Sequence, residues 1–315
     1  MKKTLLYFSI MMGLALLGYR EIYKLAGNAH RDMGYAVIHV SENKPAQQMI
    51  KLQEAFKKEG KNISFSIRPN RSSGKFNIYT ATDIQHLPEV ADQSAINFLW
   101  IDKLKSDESP EKLRPFDVIV VKNMPAYQHL KAVNVRTAFI PDAVDVKDSE
   151  KASQTERAMF WGDGNEFSVS LSMAGHEKIK LDVYGIGFEG QWPIDEIKGT
   201  MPSETDFRSH PLVLVDQSDE DILHQTINPR IMTILENGGI PYLRYNPAIE
   251  KLFGKMVPMY HNDNEFQEQL KYLPAHLFEI EERRAAIKHL AKRWNSHSQA
   301  RKFIELFEIM DRKRR

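Results

Sequence analysis

Two continuous apolar runs constrain the fold of this chain more than any other feature. Ile96–Ile101 reads INFLWI, and Val118–Val121 is wholly apolar. A strand with one face in water alternates apolar and polar residues, so continuous runs indicate strands covered on both faces. Such strands are typical of a parallel sheet with helices on either side. The sequence therefore predicts an α/β protein.

Strand and helix patterns alternate along most of the 315 residues. Before residue 142, the strand candidates are Tyr35–Val40, Ile63–Ile67, Phe76–Tyr79, Ile96–Ile101, Asp117–Val121 and Thr137–Pro141, with an amphipathic helix at Ala46–Lys58. The polar stretch Asp142–Gln154 is interpreted as a linker. A second alternation follows, with strands at Ala158–Gly162, Lys180–Gly185, Pro211–Asp216, Ile240–Leu243 and Val257–Tyr260, and closing helices at Glu279–Trp294 and Ser298–Met310. This predicts two doubly wound, Rossmann-like domains, residues 31–150 and 151–315.

Residues 1–30 form a separate hydrophobic segment. Lys2 and Lys3 precede an apolar run from Leu5 to Tyr19. The charge and length are typical of a signal-peptide core, but no clean cleavage site follows. Because a comfortable span needs about 20 apolar residues, residues 4–19 are predicted to be an uncleaved anchor that lies in or re-enters a membrane. The alternative is a buried N-terminal helix.

Two opposing arguments bear on which side of the membrane the globular domains lie: the charges before the apolar run and the compartment in which the ligand of the domains is made. The lysines favour an N-terminus inside the cell, so a full span would give a single-pass type II protein with lumenal or periplasmic domains. We instead predict a membrane-associated protein whose domains are cytoplasmic if the source is bacterial.

Composition excludes several classes of protein. With 43 Lys and Arg against 42 Asp and Glu, the formal charge is +1, which gives no argument for a nucleic-acid surface. The absence of cysteine excludes disulfides, zinc–thiolate sites and thiol catalysis. No metal-ligand histidine spacing, P-loop or serine-hydrolase motif occurs, and the acidic run Asp219–Asp221 is interpreted as the start of a helix rather than a metal site.

The stretch Asn228–Pro247 combines a helix, a glycine stop and a buried strand. Asn228 is a good N-cap, and Pro229 fits the first helical position. Arg230 is unusual, because a cation in the first turn opposes the helix dipole. It is either an exposed arginine or part of a phosphate site formed with the free N–H groups of the helix.

Two glycine-rich loops follow strands of the second alternation. Gly162, Asp163, Gly164 and Asn165 join a strand to a helix, and glycine there lets backbone approach a diphosphate. Gly185–Gly190, after Tyr184, matches G-x-G-x-x-G, but its mid-chain position does not suit a dinucleotide fingerprint. It either lies near a nucleotide base or is a turn that needs glycine dihedrals, and the first loop has the same alternative.

The second half resembles the C-terminal domain of group 1 glycosyltransferases, most of all the spore-maturation-type (CgeB-like) branch. The matching residues are Asn228, Arg230, Gly238, Gly239, Phe253, Tyr260 and the helix Asn264–Leu273, and a weaker resemblance covers Tyr35 to Met310. The resemblance implies the GT-B fold, with two domains facing across a cleft. It also implies metal-independent transfer of a sugar from a nucleotide-sugar donor to a glycan, lipid or protein acceptor. The last helix would cross back to the first domain through Phe303, Leu306, Phe307 and Met310.

The resemblance also assigns roles to residues. Arg230 and the helix start at Asn228 would neutralise the leaving diphosphate, and Thr233 or Glu236 would hold ribose hydroxyls. Arg230 and Glu236 are thus the candidate catalytic residues. The loops at Gly162–Asn165 and Tyr184–Gly187 would line the donor site, and Glu42 and Asn43 would face the acceptor.

Two departures leave other functions open. Thr233 stands where related enzymes have a glutamate, and Gln225 stands where many have another. These departures keep open a degenerate glycosyltransferase-like binding protein. A two-lobed periplasmic solute-binding protein also pairs two α/β lobes with an N-terminal signal, but it does not account for the stretch Asn228–Gly239.

Overall fold

The chain folds into two six-stranded parallel sheets with helices packed against them. The computed structural model describes residues 31–32, 35–40, 46–66, 72–90, 92–104, 109–147, 152–166, 168–176, 179, 181–188 and 197–314. The predicted hydrophobic segment 1–30 and the acceptor candidates Glu42 and Asn43 lie outside these ranges. Among the described residues, no helix is long and apolar enough to cross a membrane.

The first sheet is built from residues before 140. Its strands are β1 (Ala36–His39), β2 (Ile63–Ser66), β3 (Phe76–Ala81), β4 (Ile96–Ile101), β5 (Val118–Val121) and β6 (Thr137–Phe139). They lie in the order β2-β1-β3-β4-β5-β6, and every pairing is parallel. Helices α1 (Gln47–Lys58) and α2 (Met124–Ala132) connect strands of this sheet.

The second sheet is built from residues after 157. Its strands are β7 (Ala158–Asp163), β8 (Leu181–Ile186), β9 (Ile197–Gly199), β10 (Val213–Leu214), β11 (Pro241–Arg244) and β12 (Met259–Tyr260). The order β9-β8-β7-β10-β11-β12 is that of a dinucleotide-binding fold, in which the winding direction reverses between β7 and β10. Its helices are α3 (Val169–His176), α4 (Glu204–Ser209), α5 (Asp219–Leu223), α6 (Pro229–Glu236), α7 (Pro247–Phe253), α8 (Asp263–Tyr272) and α9 (Leu277–Ala291). The chain ends in α10 (Ser296–Arg314).

The apolar runs form the buried strands for which they were proposed. All six residues of β4 and all four of β5 are buried. The prediction of two α/β halves with parallel sheets is therefore confirmed. Strand β9 and helix α4 had no recognised pattern, and the apolar run Pro211–Asp216 contains only the two-residue strand β10.

The two halves are joined by two stretches that lie side by side. Residues 140–147 leave the first sheet without helix or strand, and the last six of them belong to the predicted linker Asp142–Gln154. The backbone N–H of Val144 donates to the carbonyl of Trp294 at 3.0 Å, and the Asp145 carboxylate accepts from the N–H and hydroxyl of Ser296. The buried amide of Gln299 donates to the Pro141 carbonyl at 2.9 Å. The outgoing and returning stretches thus form one hydrogen-bonded crossing.

Helix α10 packs on the first sheet, as the GT-B resemblance implied and contrary to the alternative of packing on its own half. Phe307 stacks on Phe76 at 4.4 Å between ring centroids and meets Phe98 edge-on at 4.8 Å. Phe303 meets Trp100 edge-on at 5.5 Å. All four phenylalanines are at most 1% exposed, so the end of the chain completes the core of its beginning.

Truncation of Phe307 should therefore destabilise the first sheet. We expect Phe307→Ala to lower the free energy of unfolding by about 3–5 kcal/mol, because a buried aromatic ring leaves a cavity. Urea denaturation followed by circular dichroism measures the loss. The matched control is Phe278→Ala, since Phe278 is 78% exposed and its loss should change stability by at most about 0.5 kcal/mol. Equal effects of the two changes would contradict the packing described.

Candidate functional site

A cleft of about 690 Å³ lies between the two halves. One wall consists of residues at the carboxyl ends of β1, β3, β4 and β5 and at the start of α1. The opposite wall consists of α5, α6 and the segment between them. The wall residues used below are Lys51, Trp100, Asp102, Lys122, Asp142, Asn228, Thr233 and Glu236. Because ligands of doubly wound sheets bind outside the carboxyl ends of the strands, this cleft is the candidate active site.

Helix α6 begins at the cleft and is firmly fixed. The Asn228 side chain accepts from the N–H of Arg230 at 2.9 Å, and Pro229 occupies the first turn. Ile231, Met232, Ile234 and Leu235 are buried and fix the helix on its sheet. Gly238 follows two residues after the end of the helix, and its φ of +78° favours glycine. The predicted helix of Pro229–Asn237 and its glycine stop are therefore present.

Arg230 stands in the first turn of α6 next to the cleft. Asn228 and Pro229 line the cleft, whereas Arg230 is not among the lining residues of the described chain. Arg230 is partly exposed, and within the described ranges its guanidinium has no partner. An anion that approaches the start of α6 would therefore meet a cation that no carboxylate of the described residues neutralises.

Glu236 joins the two halves. Its carboxylate contacts the ammonium of Lys51, on α1, at 2.6 Å, with the two side chains 18% and 23% exposed. The same carboxylate lies 3.5 Å from the N–H of Asp145, and the Glu236 carbonyl accepts from the N–H of Lys147 at 3.0 Å. Glu236, which was predicted to bind the ribose, therefore already has a cation as its partner.

Thr233 lies on the same helix one turn before Glu236. Its hydroxyl donates to the Pro229 carbonyl at 3.2 Å, which leaves its oxygen able to accept one more hydrogen bond from a ligand. Gln225 precedes the helix in a left-handed conformation, with φ of +51°. It does not line the cleft within the described residues, whereas Thr233 does.

A charged cluster that the sequence did not single out forms the floor of the cleft on the first half. Lys122, after β5, contacts Asp142 at 2.7 Å and Asp102, after β4, and its ammonium lies 5.1 Å from the Trp100 ring centroid. Burial opposes the charge of Lys122, but Asp142 and Asp102 outweigh it, so the pKa of Lys122 lies above its ordinary value. Lys122 and Asp102 each directly follow a predicted strand, and only the adjacency of β4 and β5 in the sheet brings them together.

The two glycine loops pack against each other at the carboxyl ends of β7 and β8. The N–H of Gly164 donates to the Ile186 carbonyl at 2.7 Å. A Cβ on Gly164 would lie 2.5 Å from the Gly187 carbonyl oxygen, and one on Gly185 would lie 2.0 Å from that of Gly162. Gly187 has φ of +77°, and a Cβ there would meet the Asn165 amide at 2.2 Å. Packing between the loops is thus enough to require these glycines.

The remaining members of the predicted donor site lie beside these loops. Asp163 accepts from the N–H and the side-chain amide of Asn165, which fixes the turn after β7. Tyr184 is only 8% exposed. Burial favours the neutral form of Asp206, but two hydrogen bonds from Ser203 and one from the Tyr184 hydroxyl outweigh it. The pKa of Asp206 therefore lies below its usual value. None of Gly162–Asn165, Tyr184, Gly185 and Gly187 lines the cleft in the described part of the chain.

No group of three or more His, Asp or Glu among the described residues is placed to hold a metal ion. The acidic run begins α5 with a capping box between Ser218 and Asp221, as the helix interpretation predicted. Asp219 instead binds Arg244 at 2.7 Å.

Comparison with known proteins connects this architecture to solved structures. The lipopolysaccharide outer core galactosyltransferase WaaB aligns with a TM-score of 0.54 and 10% identity, covering 85% of this chain and 97% of that one. Anabaena HepE in complex with UDP-glucose aligns with a TM-score of 0.54 and 9% identity, covering 87% and 99%. The chain has the GT-B fold.

A third structure matches this chain over only part of its own length. S. aureus TarM in complex with UDP aligns with a TM-score of 0.51 and 11% identity, and the match covers 73% of this chain and 55% of TarM. No protein-family model and no curated protein sequence matches the chain. Identities this low show a shared fold, and a shared fold does not determine an activity.

His39, at the end of β1 beside the cleft, should make stability depend on pH. Burial lowers its pKa below 6.5, with a smaller opposing contribution from the hydrogen bond with Asn77, because the neutral ring is favoured in the folded state. The unfolded chain therefore binds a proton more readily. The free energy of unfolding should fall as the pH is lowered through about 6.5.

Thermal unfolding at pH 7.5 and 5.5 tests this dependence. His39→Gln should reduce the loss of stability between these values, whereas His176→Gln, at an exposed site, should leave the wild-type loss unchanged. A His39→Gln profile that parallels the wild type would contradict the assignment.

The Lys51–Glu236 pair should couple the two halves energetically. In a double-mutant cycle with Lys51→Gln and Glu236→Gln, we expect a coupling energy between about 0.5 and 3 kcal/mol, since both groups are largely covered. The control cycle uses Arg114 and Glu111, which are 79% and 74% exposed and should couple by at most about 0.5 kcal/mol. Chemical denaturation supplies the four stabilities, and a coupling no larger than the control would count against the pair.

Proposed function

We propose that this protein is a glycosyltransferase that transfers a sugar from a nucleotide-sugar donor to a glycan, lipid or protein acceptor. The observation that carries the proposal is the start of α6 at the cleft between two GT-B halves. The Arg230 guanidinium beside it has no partner among the described residues. Structural neighbours of the same architecture contain UDP or UDP-glucose. The resemblance of Asn228–Gly239 to group 1 glycosyltransferases of the CgeB-like branch supports the same activity.

The proposed chemistry is electrostatic. Sugar transfer leaves negative charge on the departing nucleoside diphosphate. The positive end of the α6 dipole and the Arg230 guanidinium would stabilise that charge as it develops, because helix N-termini and arginine both favour phosphate oxygens. This arrangement requires no metal ion, and we propose a metal-independent reaction without a cofactor.

The donor is proposed to extend from α6 towards the point where the second sheet reverses its winding. This point lies between β7 and β10, and ligands of such sheets bind there. The loops of Gly162, Asp163, Gly164 and Asn165 and of Tyr184, Gly185 and Gly187 would form its far side with their backbones. The ribose hydroxyls would donate to Thr233 or to Oε2 of Glu236, because the contacts with Lys51 and the Asp145 N–H are made by Oε1.

The acceptor is proposed to bind against the first half. The Lys122 cluster forms the floor there, and Asp102, whose side chain is 50% exposed, offers a carboxylate to acceptor hydroxyls. Glu42 and Asn43, which follow β1 in the sequence, remain acceptor candidates from the sequence alone. We further propose membrane association through residues 4–19, with the catalytic domains on the side that contains the donor, which is the cytoplasm if the source is bacterial.

Loss of Arg230 should weaken binding of a nucleoside diphosphate. Removing a hydrogen-bonded charge costs about 1.5–3 kcal/mol, so Arg230→Ala should raise the dissociation constant for UDP or GDP roughly 10- to 150-fold. Isothermal titration calorimetry measures the constant. Lys313→Ala is the charge-matched control, because Lys313 is exposed on the last turn of α10. Unchanged affinity in Arg230→Ala would refute the phosphate role.

A degenerate, binding-only protein is the second candidate function, since Thr233 replaces a family glutamate and Lys51 already holds Glu236. Release of free sugar or transfer product from a panel of nucleotide sugars distinguishes the two. Turnover abolished by Arg230→Ala supports the enzyme. Tight nucleotide binding without turnover for any donor supports the degenerate protein.

A further inference from the structure

A second cavity, of about 1020 Å³, lies on the second half away from the cleft. It runs beside the edge strand β12 and is bounded by α8, the start of α9 and the segment that joins them. No residue that lines this cavity also lines the cleft between the halves. The volume is at the upper end of the roughly 300–1,000 Å³ of small-molecule pockets, which suits an elongated ligand.

Two tyrosine rings, each stacked on a histidine, line this cavity. Tyr245 stacks on His261 with ring centroids 4.4 Å apart, and Tyr272 stacks on His276 at 3.7 Å and an interplanar angle of 17°. Each histidine thus covers one face of its tyrosine ring, and Tyr272 remains 51% exposed. Rigid aromatic faces of this kind provide contact area at low entropic cost.

The polar groups of the cavity both donate and accept hydrogen bonds. The Tyr245 hydroxyl donates to Glu250 at 2.6 Å, and this bond, followed by burial, raises the pKa of Tyr245. The amide nitrogen of Gln269 donates to the Met259 carbonyl, which leaves its oxygen able to accept from a ligand. In the described part of the chain, the Glu268 carboxylate has no partner.

The charges of the cavity nearly cancel. Its ionised lining residues are Glu250, Glu265, Glu268 and Glu279 against Lys255, Lys271 and Arg283. Glu279 is bound to Arg283 at 2.7 Å, so one pair is already neutralised. With four acidic against three basic residues, the net charge of −1 disfavours a phosphorylated ligand and attracts a cationic ligand only weakly. A ligand with an apolar face and many hydroxyl groups could both stack on the two tyrosine rings and form hydrogen bonds with the mixed donors and acceptors.

We propose that this cavity binds a neutral oligosaccharide and is a carbohydrate site separate from the transfer cleft. The pyranose rings stack on Tyr245 and Tyr272 through their C–H faces. Their hydroxyls donate to Glu268 and Gln269 and accept from Lys255. The proposal goes beyond the transfer reaction and holds whether or not the cleft transfers sugar, because it rests on the lining of this cavity alone.

Binding of neutral oligosaccharides to the full chain tests the proposal. Maltohexaose, cellohexaose, chitohexaose and mannohexaose are titrated by calorimetry or ligand-observed NMR. We expect at least one to bind, with affinity lowered tenfold or more in Tyr272→Ala and threefold or more in Glu268→Gln. Tyr127→Ala, a tyrosine on the first half, should bind as the wild type does. Because Tyr272 is half exposed, its variant should keep the wild-type unfolding temperature.

Further measurements separate this site from the cleft and from a protein interface. The exposed Phe278, beside Glu279, would also suit a second copy of the chain, so sedimentation velocity is run on the wild type, Tyr272→Ala and Phe278→Ala. Oligosaccharide binding retained in Arg230→Ala supports a site independent of the cleft. The proposal is overturned if no oligosaccharide binds at about 10 mM, if binding survives Tyr272→Ala, or if the wild type dimerises and these variants are monomers.

Discussion

The paired crossing between the halves is the constraint on which the rest of this structure depends. Residues 140–147 leave the first sheet, and the chain returns through Trp294–Gln299 beside them. Because α10 then inserts Phe303 and Phe307 into the first sheet, the first half has no complete core without a segment from the other end of the chain. The crossing also brings α1 towards α6, which encloses the cleft.

Much of this architecture could be predicted from the sequence, because the strongest signals were local. The continuous apolar runs of β4 and β5 require cover on both faces, and the N-cap, proline and glycine around α6 define a helix by themselves. The return of α10 needed more than a local pattern. Phe303 and Phe307 give an apolar stripe on either sheet, and only the resemblance to a fold chose between them.

The candidate site was less predictable for a physical reason. Residues such as Arg230 and Thr233 were found because they lie within one recognisable motif. The contact between Lys51 and Glu236, in contrast, joins residues that are far apart in sequence, and the Lys122 cluster depends on which strands are adjacent. The glycine loops show the reverse. Their sequence suggested a ligand, but contacts between Gly164, Gly185 and their neighbours already account for the missing side chains.

The position of Glu236 determines how the cleft can move. Its carboxylate lies 3.5 Å from the N–H of Asp145, and its carbonyl accepts from Lys147, so it belongs to the crossing as well as to the cleft. In a hinge motion, atoms near the axis move least, and hinges lie where few segments connect two bodies. A hinge at the crossing would therefore move the Lys51–Glu236 pair least, and the pair would persist while the cleft opens. Arg230 lies about two turns from Glu236, at the other end of α6, so an opening of the cleft displaces it further. We infer that ligand exchange exposes the phosphate-binding end of α6 while the Lys51–Glu236 end keeps the two halves in register.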